Sequence, residues 1–190
     1  MTIIIFGPPG CGKGTQSALI ADKYKLKHIS TGDILRNEME LKTELGLAAK
    51  QYVTEGKLVP DDLIITMLIN AICCIDSSQH GVLLDGFPRT TAQAEALEIN
   101  LIKKNKSTNL LIDMEVEEAE LIERLILRGK LNGRIDDNPE TIKKRLSVYM
   151  EQTFPVKSFY KDLNKYASVN GLGKVGDIFD NICSEIDKHS

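Results

Sequence analysis

A glycine-rich segment close to the start of the chain constrains the fold more than any other feature. Residues 7–15 read Gly-Pro-Pro-Gly-Cys-Gly-Lys-Gly-Thr, and they stand between an apolar run at 3–6 and a helical pattern that starts at Lys13. In such a loop the glycines let backbone N–H groups turn inwards, the helix N-terminus adds partial positive charge, and the lysine reaches outer phosphates. The segment therefore predicts a phosphate-binding loop in an α/β domain.

The loop departs in one position from the general phosphate-binding pattern. That pattern has Ser or Thr directly after the lysine, where the hydroxyl binds magnesium; here Gly14 stands there and Thr15 follows it. The form with Gly-Thr after the lysine resembles the nucleoside monophosphate kinases, and the adenylate kinases above all. The resemblance implies Mg²⁺ as cofactor and an ATP site that includes Gly10, Cys11, Gly12, Lys13, Gly14 and Thr15.

The bulk properties exclude several other classes of protein. A chain of 190 residues suits one α/β domain with small insertions. The net charge of −3 and the lack of a basic block predict no nucleic-acid partner, and the apolar runs are too short for a membrane span. Because the first predicted strand starts almost at Met1, we expect no leader peptide, and the spacing of the cysteines predicts neither a disulfide framework nor a zinc site. We expect a cytosolic protein, and nothing in the motifs argues against a monomer.

Short apolar runs alternate with helical stretches along the chain, which is typical of a doubly wound parallel sheet. The runs predict strands at 2–6, 27–30, 81–85, 109–114 and 166–169. The helical stretches predict helices at 13–24, 32–41, 43–55, 61–75, 90–104, 117–128, 139–153 and 175–188. The predicted fold is a three-layer α/β/α domain of the P-loop NTPase type with a five-stranded parallel sheet.

The simple alternation breaks in two places. About fifty residues separate the second and third strands, which is too many for one crossover helix and predicts a small helical insertion. The polar stretch 129–138 predicts a loop, with Asn138 as the cap of the next helix and Pro139 as its first residue. We expect one core domain over 1–190 with a short mobile lid at 129–139, and the resemblance to the adenylate kinases implies that the insertion at 30–59 is a monophosphate-binding subdomain.

The segment Asp-Gly-Phe-Pro-Arg at 85–89 directly follows the third strand. Ligands of open α/β sheets bind beyond the carboxyl ends of the strands, so Asp85 and Arg89 should face the same crevice as the glycine-rich loop. Asp85 could hold magnesium through water and Arg89 could pair with a phosphate, although a turn with a satisfied Asp–Arg pair is the simpler alternative. In the adenylate kinases, which this segment resembles, it lines the monophosphate site, and the resemblance suggests a cis Phe87–Pro88 bond.

Two further segments extend the resemblance to the acceptor nucleotide. Residues 30–36 read Ser-Thr-Gly-Asp-Ile-Leu-Arg, which by itself indicates only a capped helix with an exposed arginine. By resemblance Arg36 holds the AMP phosphate, Thr31 and Val59 contact the adenine, and Gln93 reads its Watson–Crick edge with an amide that both donates and accepts. The AMP site implied in this way comprises Thr31, Arg36, Lys57, Leu58, Val59, Gly86, Phe87, Pro88, Arg89, Gln93, Arg134 and Arg145.

Arg124 and Arg128 lie four residues apart on a predicted helix and therefore share a face. Glu120 offers a plain explanation for Arg124, an i,i+4 surface pair. The run at 124–146 resembles the lid of the adenylate kinases in a short form that lacks both the long insertion and its zinc cysteines. The resemblance implies that Arg124 stacks on the ATP adenine, that Arg128 binds its phosphates, and that Gly173 contacts the base through its backbone.

These motifs together predict transfer of a phosphoryl group from ATP to AMP, with ATP, AMP and ADP as the small-molecule partners. The catalytic residues implied are Lys13, Arg89, Arg128, Arg134 and Arg145, with Asp85 holding magnesium through water. The alternative is a UMP/CMP kinase of the same fold, against which Thr31 and Gln93 argue. A GTPase-like switch is disfavoured because Gly14 replaces the hydroxyl and because Asn105-Lys106-Ser107-Thr108 lacks the guanine-reading aspartate.

Overall fold

The fold is built on one parallel sheet. The structure is a computed structural model that describes residues 1–65, Leu68 and 79–189. Five parallel strands in the order β2-β3-β1-β4-β5 form the sheet. Their bounds are β1 Thr2–Phe6, β2 Leu26–Ser30, β3 Gly81–Asp85, β4 Leu110–Glu115 and β5 Tyr166–Asn170.

Helices connect the strands and cover both faces of the sheet. They are α1 Lys13–Tyr24, α2 Thr31–Glu40, α3 Glu44–Thr54, α4 Thr91–Ile102, α5 Glu118–Asn132, α6 Pro139–Val148, α7 Val156–Asp162 and α8 Val175–Lys188. A π-helical segment, Tyr149–Thr153, joins α6 to the turn before α7. Residues 61–65 are also helical. No helix of the described part of the chain combines the length and apolar character needed to cross a membrane.

The alternation of side chains on β1 explains the three layers. Ile3 and Ile5 point to one face and pack with α1, α5, α6 and α8, whereas Ile4 and Phe6 point to the other face and pack with α2, α3, α4 and α7. Every residue of β1 is buried, as expected for a central strand of a sheet covered on both sides. The two apolar clusters hold the sheet rigid and so fix the positions at which its strands end.

The predicted fold class is confirmed, since the described chain forms a five-stranded parallel sheet between helices. The five strands lie within one residue of their predicted bounds, and α1 and α8 match theirs. The predicted cis Phe87–Pro88 bond is present. The predicted helix 61–75 lies mostly outside the described residues, as do Cys73 and Cys74.

The prediction of a loop from residue 129 was wrong, because α5 continues to Asn132. Gly129 is inside the helix, where a Cβ atom would lie 2.8 Å from the carbonyl oxygen of Asp137. This glycine therefore permits close packing of the chain and does not end the helix. The helix ends instead at Gly133, whose φ of 61° lies in the left-handed region. Two other features were missed, the helix α7 and the change from α to π geometry at Tyr149.

Candidate functional site

A cavity of about 470 Å³ opens beyond the carboxyl ends of β1, β2 and β3, where Phe6, Ser30 and Asp85 end their strands. The glycine-rich loop forms one wall of the cavity, and the segment 85–89 forms another. Every arginine of the chain lines it, namely Arg36, Arg89, Arg124, Arg128, Arg134 and Arg145, together with Lys13. A concave site with this charge is suited to anionic ligands that carry several phosphates.

The glycine-rich loop closes tightly against β4. Gly7 has a φ of 135°, and a Cβ atom there would lie 2.7 Å from the carbonyl oxygen of Met114, so only glycine fits. The Lys13 ammonium donates to the carbonyl oxygens of Gly7 at 2.8 Å and Pro8 at 2.9 Å. These contacts hold the lysine within its own loop, and no ion pair with a described carboxylate neutralises its charge.

Asp85 ends β3 opposite the start of α1. Its Oδ2 lies 3.9 Å from the position that a Cβ atom of Gly14 would occupy, and Thr15 lines the same cavity. The imidazole of His28 on β2 lies 3.6 Å from this carboxylate. A mostly buried carboxylate and a hydroxyl beside the glycine-rich loop are oxygen donors of the kind that Mg²⁺ prefers, and water and substrate oxygens would fill the other positions. These residues therefore fit a magnesium ion.

Arg89 is the arginine with the most unusual surroundings. Its Nε donates to the carbonyl oxygen of Gly86 at 2.7 Å, but no carboxylate among the described residues forms an ion pair with its guanidinium. Burial, followed by the neighbouring charge of Arg145, lowers the pKa of Arg89 to about 10. A half-buried arginine that lacks a described counter-ion and faces other arginines is placed to bind an anion.

Two adjacent carboxylates neutralise Arg128 and Arg145. The buried Asp137 accepts from Arg128 Nε at 2.6 Å and Nη2 at 2.9 Å, and from Arg145 Nη1 at 2.6 Å, while Asp136 lies 2.8 Å from Arg145 Nη1. Although burial opposes its charge, the pKa of the Asp137 carboxyl is lowered because Arg128 and then Arg145 stabilise the ionised form. The bidentate contact likewise outweighs burial and raises the pKa of Arg128.

Asp33 connects the start of α2 to the turn after α5. It forms an ion pair with Arg36 one turn further along α2, and its Oδ1 lies 4.0 Å from Nη2 of Arg134. Burial and then the charges of Arg128 and Arg36 lower the pKa of Arg134. The two segments thus approach each other across the mouth of the cavity.

Arg124 forms the end of the cavity close to β5. It donates to Glu120 at 2.6 Å through Nε and to the carbonyl oxygen of Gly171 at 3.3 Å through Nη1. The predicted surface pair with Glu120 is therefore present, but the guanidinium also reaches the loop that leads into α8.

The remaining predicted residues fall into two groups. Gly10, Gly12, Gly14, Thr15, Lys57, Leu58, Gly86, Phe87 and Pro88 line the cavity. Cys11, Thr31, Val59, Gln93 and Gly173 are not among its lining residues.

The second group has other contacts in this conformation. Cys11 and Val59 belong to the two apolar clusters, and the hydroxyl of Thr31 donates to the carbonyl oxygen of Gly86 at 2.8 Å. Gln93 is buried and bonded to Asp61 and to the backbone of Arg89. Gly173, with a φ of 121°, lies open in the loop before α8.

Sequence reasoning missed several residues that shape the site. Asp33 was detectable, because it precedes Arg36 by three positions on a helix and so shares its face. Tyr149 lines the cavity and packs against Phe6 with ring centroids 6.0 Å apart, but its position depends on the π-helical turn. Asp61 contacts Gln93 across 32 residues of sequence, and no local pattern indicates that contact.

Comparison with known proteins agrees with this geometry. A family model described as "Adenylate kinase" matches residues 5–165. The chain belongs to the adenylate kinase family. It is 52% identical to the adenylate kinase of Bacteroides thetaiotaomicron over 99% of both chains, and 50% identical to that of Bacteroides fragilis over 98% of both. The adenylate kinase of Porphyromonas gingivalis is 45% identical over 99% of this chain and 96% of its own.

Membership of this family confirms the resemblance seen in the motifs and the predicted enzyme class, an adenylate kinase. The relatives match nearly the whole chain, so the family assignment covers the insertion and the turn after α5 as well as the phosphate-binding loop. The individual roles of the cavity residues stay predictions.

Proposed function

We propose that this protein transfers the γ-phosphoryl group of ATP to AMP in a reversible, Mg²⁺-dependent reaction that gives two molecules of ADP. One observation carries the proposal: every arginine of the chain converges on the cavity that the phosphate-binding loop borders. ATP and AMP together carry roughly six negative charges at neutral pH, which match the seven cationic side chains there. The name adenylate kinase that the relatives carry supports adenine nucleotides as the substrates.

The donor nucleotide would occupy the side of the cavity that the loop 7–15 forms. Its phosphates would accept from the backbone N–H groups of this loop, from Lys13 and from Arg128. The contact between Arg124 and the carbonyl oxygen of Gly171 brings a flat guanidinium beside the loop that contains Gly173. A purine ring fits between such a surface and a backbone without a side chain.

The acceptor nucleotide would occupy the opposite side, between the segment 85–89 and the insertion. Arg89 and Arg36 are the arginines in reach of its phosphate, and Arg89, which has no ion pair with a described carboxylate, favours that anion most. Gln93 is buried beside the cavity in this conformation, so we propose that adenine reaches its amide once the segment 30–59 shifts.

Magnesium would be held by Asp85 through water and by Thr15. When bound, the ion neutralises phosphate charge that develops during transfer. The protein's own part is to align the two nucleotides, to surround the transferring group with Lys13, Arg89, Arg128, Arg134 and Arg145, and to exclude water. No carboxylate base is required, because the AMP phosphate is already ionised. Exclusion of water requires the segment 30–59 and the turn after α5 to close over the nucleotides.

An acceptor-dependence assay tests the proposal directly. We expect ADP to form from ATP only when AMP is present, and adenosine–pentaphosphate–adenosine to bind tightly because it fills both nucleotide sites. UMP and CMP should be much poorer acceptors than AMP. Hydrolysis of ATP without an acceptor, or equal use of UMP, would refute the proposal.

Replacement of Lys13 by methionine should lower kcat by about a hundredfold or more, because the cation that faces the outer phosphates is lost. Lys103→Met is the matched control, since Lys103 is exposed after α4 and lies outside the cavity. Steady-state kinetics with ATP and AMP would measure both variants. Near-normal turnover in Lys13→Met would contradict the role given to this lysine.

In a cell the reaction would balance the adenine nucleotides against one another, and we propose this homeostatic role. The expectations of a cytosolic location and of a monomer remain predictions.

A further inference from the structure

Asp61 is hydrogen-bonded to Gln93, the residue proposed to contact the base of AMP. The sequence motifs do not indicate this contact. Asp61 lies in the short helical stretch after Pro60. Its Oδ1 accepts from Gln93 Nε2 at 2.6 Å, and its Oδ2 accepts from the hydroxyl of Thr90 at 3.3 Å. On the other side of the same amide, Gln93 Oε1 accepts from the backbone N–H of Arg89 at 2.7 Å.

These contacts allow only one orientation of the Gln93 amide. A carboxylate accepts hydrogen bonds and a backbone N–H donates them, so the amide nitrogen must face Asp61 and the amide oxygen must face Arg89. A flip would set the amide oxygen against the Asp61 carboxylate and the NH₂ group against a donor. Both neighbours oppose the flip, and Gln93 is only 2% exposed, so water cannot compensate for the lost bonds.

The fixed amide has a chemical consequence for the acceptor base. Its free edge offers an oxygen that accepts and an N–H that donates, in a fixed order. Adenine presents the complementary pair, the N6 amino group as donor and N1 as acceptor. A 6-oxopurine presents the reverse, O6 as acceptor and N1–H as donor, and would require the flipped amide.

We propose that Asp61 is a positioning residue that selects 6-aminopurine over 6-oxopurine acceptors by holding the Gln93 amide in one orientation. This inference rests on the proposed function, in which Gln93 reads the base of AMP. Asp61 need not touch the nucleotide. It acts through Gln93, and the backbone N–H of Arg89 supports the same orientation from the opposite side.

The test compares AMP with inosine monophosphate as acceptors, since the two differ only at positions 6 and 1 of the base. The wild-type protein should prefer AMP by about a hundredfold or more in kcat/KM, because buried polar groups reject a mismatched partner. Asp61→Asn retains the shape of the side chain but can donate to a flipped amide oxygen. We expect this variant to lower the AMP-to-IMP ratio of kcat/KM about tenfold, with a residual preference that the Arg89 N–H maintains.

Asp62→Asn is the matched control. Asp62 is the adjacent residue, is exposed and does not line the cavity, so removal of the same charge there should leave the ratio within about twofold of wild type. In a Gln93→Leu background, Asp61→Asn should cause no further change in the AMP-to-IMP ratio of kcat/KM, because the amide through which Asp61 acts is absent. A loss of stability alone would lower the activity with both acceptors and leave their ratio unchanged.

The outcomes separate this inference from the proposed function. A wild-type protein that does not phosphorylate AMP refutes the proposed function. A wild-type protein that phosphorylates AMP and IMP equally refutes the inference alone, and this measurement needs no variant. An unchanged ratio in a folded Asp61→Asn protein, or an equal effect of Asp61→Asn with and without Gln93, also overturns it.

Discussion

The arginine residues and most of the lysine residues lie in different parts of this protein. Lysine and arginine together number 24, yet every arginine lies around the cavity, whereas most of the lysines are elsewhere. A guanidinium can bind phosphate through two parallel hydrogen bonds, and it keeps its charge when water is removed from the site. The lysines outside the cavity are not required to do either. The distribution of arginine therefore marks the site at the level of single residues.

Arg89→Met separates the functional role of this arginine from its effect on stability. Because the folded-state pKa of Arg89 is lowered, its charge costs free energy on folding at every pH below about 10. We expect kcat to fall by about a hundredfold. The free energy of unfolding of the free protein should stay unchanged or rise by about 1 kcal/mol.

Urea unfolding without nucleotide and steady-state kinetics would measure the two effects, with Lys103→Met as the control. A marked loss of stability together with normal turnover would show that Arg89 serves the fold and does not bind an anion.

At the scale of elements, Asp137 links α5 to α6. Its carboxylate joins Arg128, on α5, to Arg145, on α6, and its side chain has no exposed surface. Two arginines that approach each other in this way would repel without the acid between them. Asp137 is therefore the carboxylate that couples the two helices in the turn after α5, while the adjacent Asp136 pairs, among the described residues, with Arg145 alone.

Asp137→Asn should destabilise the protein by about 1–3 kcal/mol at pH 7, because both arginines lose their shared partner while remaining partly hydrated. The folded-state pKa of Asp137 is lowered below its usual value, so its contribution is complete above about pH 4 and disappears as the pH falls through the folded pKa. The difference in unfolding free energy between wild type and variant should thus vanish in strong acid.

Urea titrations at several values between pH 7 and pH 2 would show this convergence, and Asp162→Asn, at the exposed end of α7, provides the control. A difference that persists unchanged at pH 2 would mean that the carboxylate charge is not its cause.

Among the helices, the short ones were the least predictable. The helix α7 has seven residues, too few to show a helical period, and it forms because Val156 and Tyr160, four positions apart, are both completely buried. Longer elements such as α1 and α8 show their period over several turns and were predicted to the residue.

At the scale of the whole molecule, β1 supports both halves of the core and the site. It pairs with β3 on one side and β4 on the other, and its last residue leads directly into the glycine-rich loop. Loss of packing at its centre should therefore affect the complete domain.

Ile4→Ala should reduce the free energy of unfolding by about 2–5 kcal/mol, because Ile4 is completely buried in the middle of the sheet and its removal leaves a cavity. Ile102→Ala, at the exposed end of α4, is the control. It removes the same atoms but should reduce the free energy of unfolding by less than about 1 kcal/mol. Chemical denaturation of wild type and both variants would measure these changes in the free energy of unfolding. A loss as small as that of the control would show that β1 is not the central support of the core.

The sequence alone determined the glycine-rich loop between β1 and α1, the order of the strands and of the longer helices along the chain, and the segments from which the arginines come. Those features depend on local backbone preferences and on the period of apolar residues, which a short window of sequence contains. The tertiary structure decided that Asp137 neutralises both Arg128 and Arg145, brought Asp33 near Arg134, left Arg89 without a described carboxylate partner, and brought Asp61 to the amide of Gln93. Such pairs join residues that only the packing of the core brings together, so no local pattern encodes them.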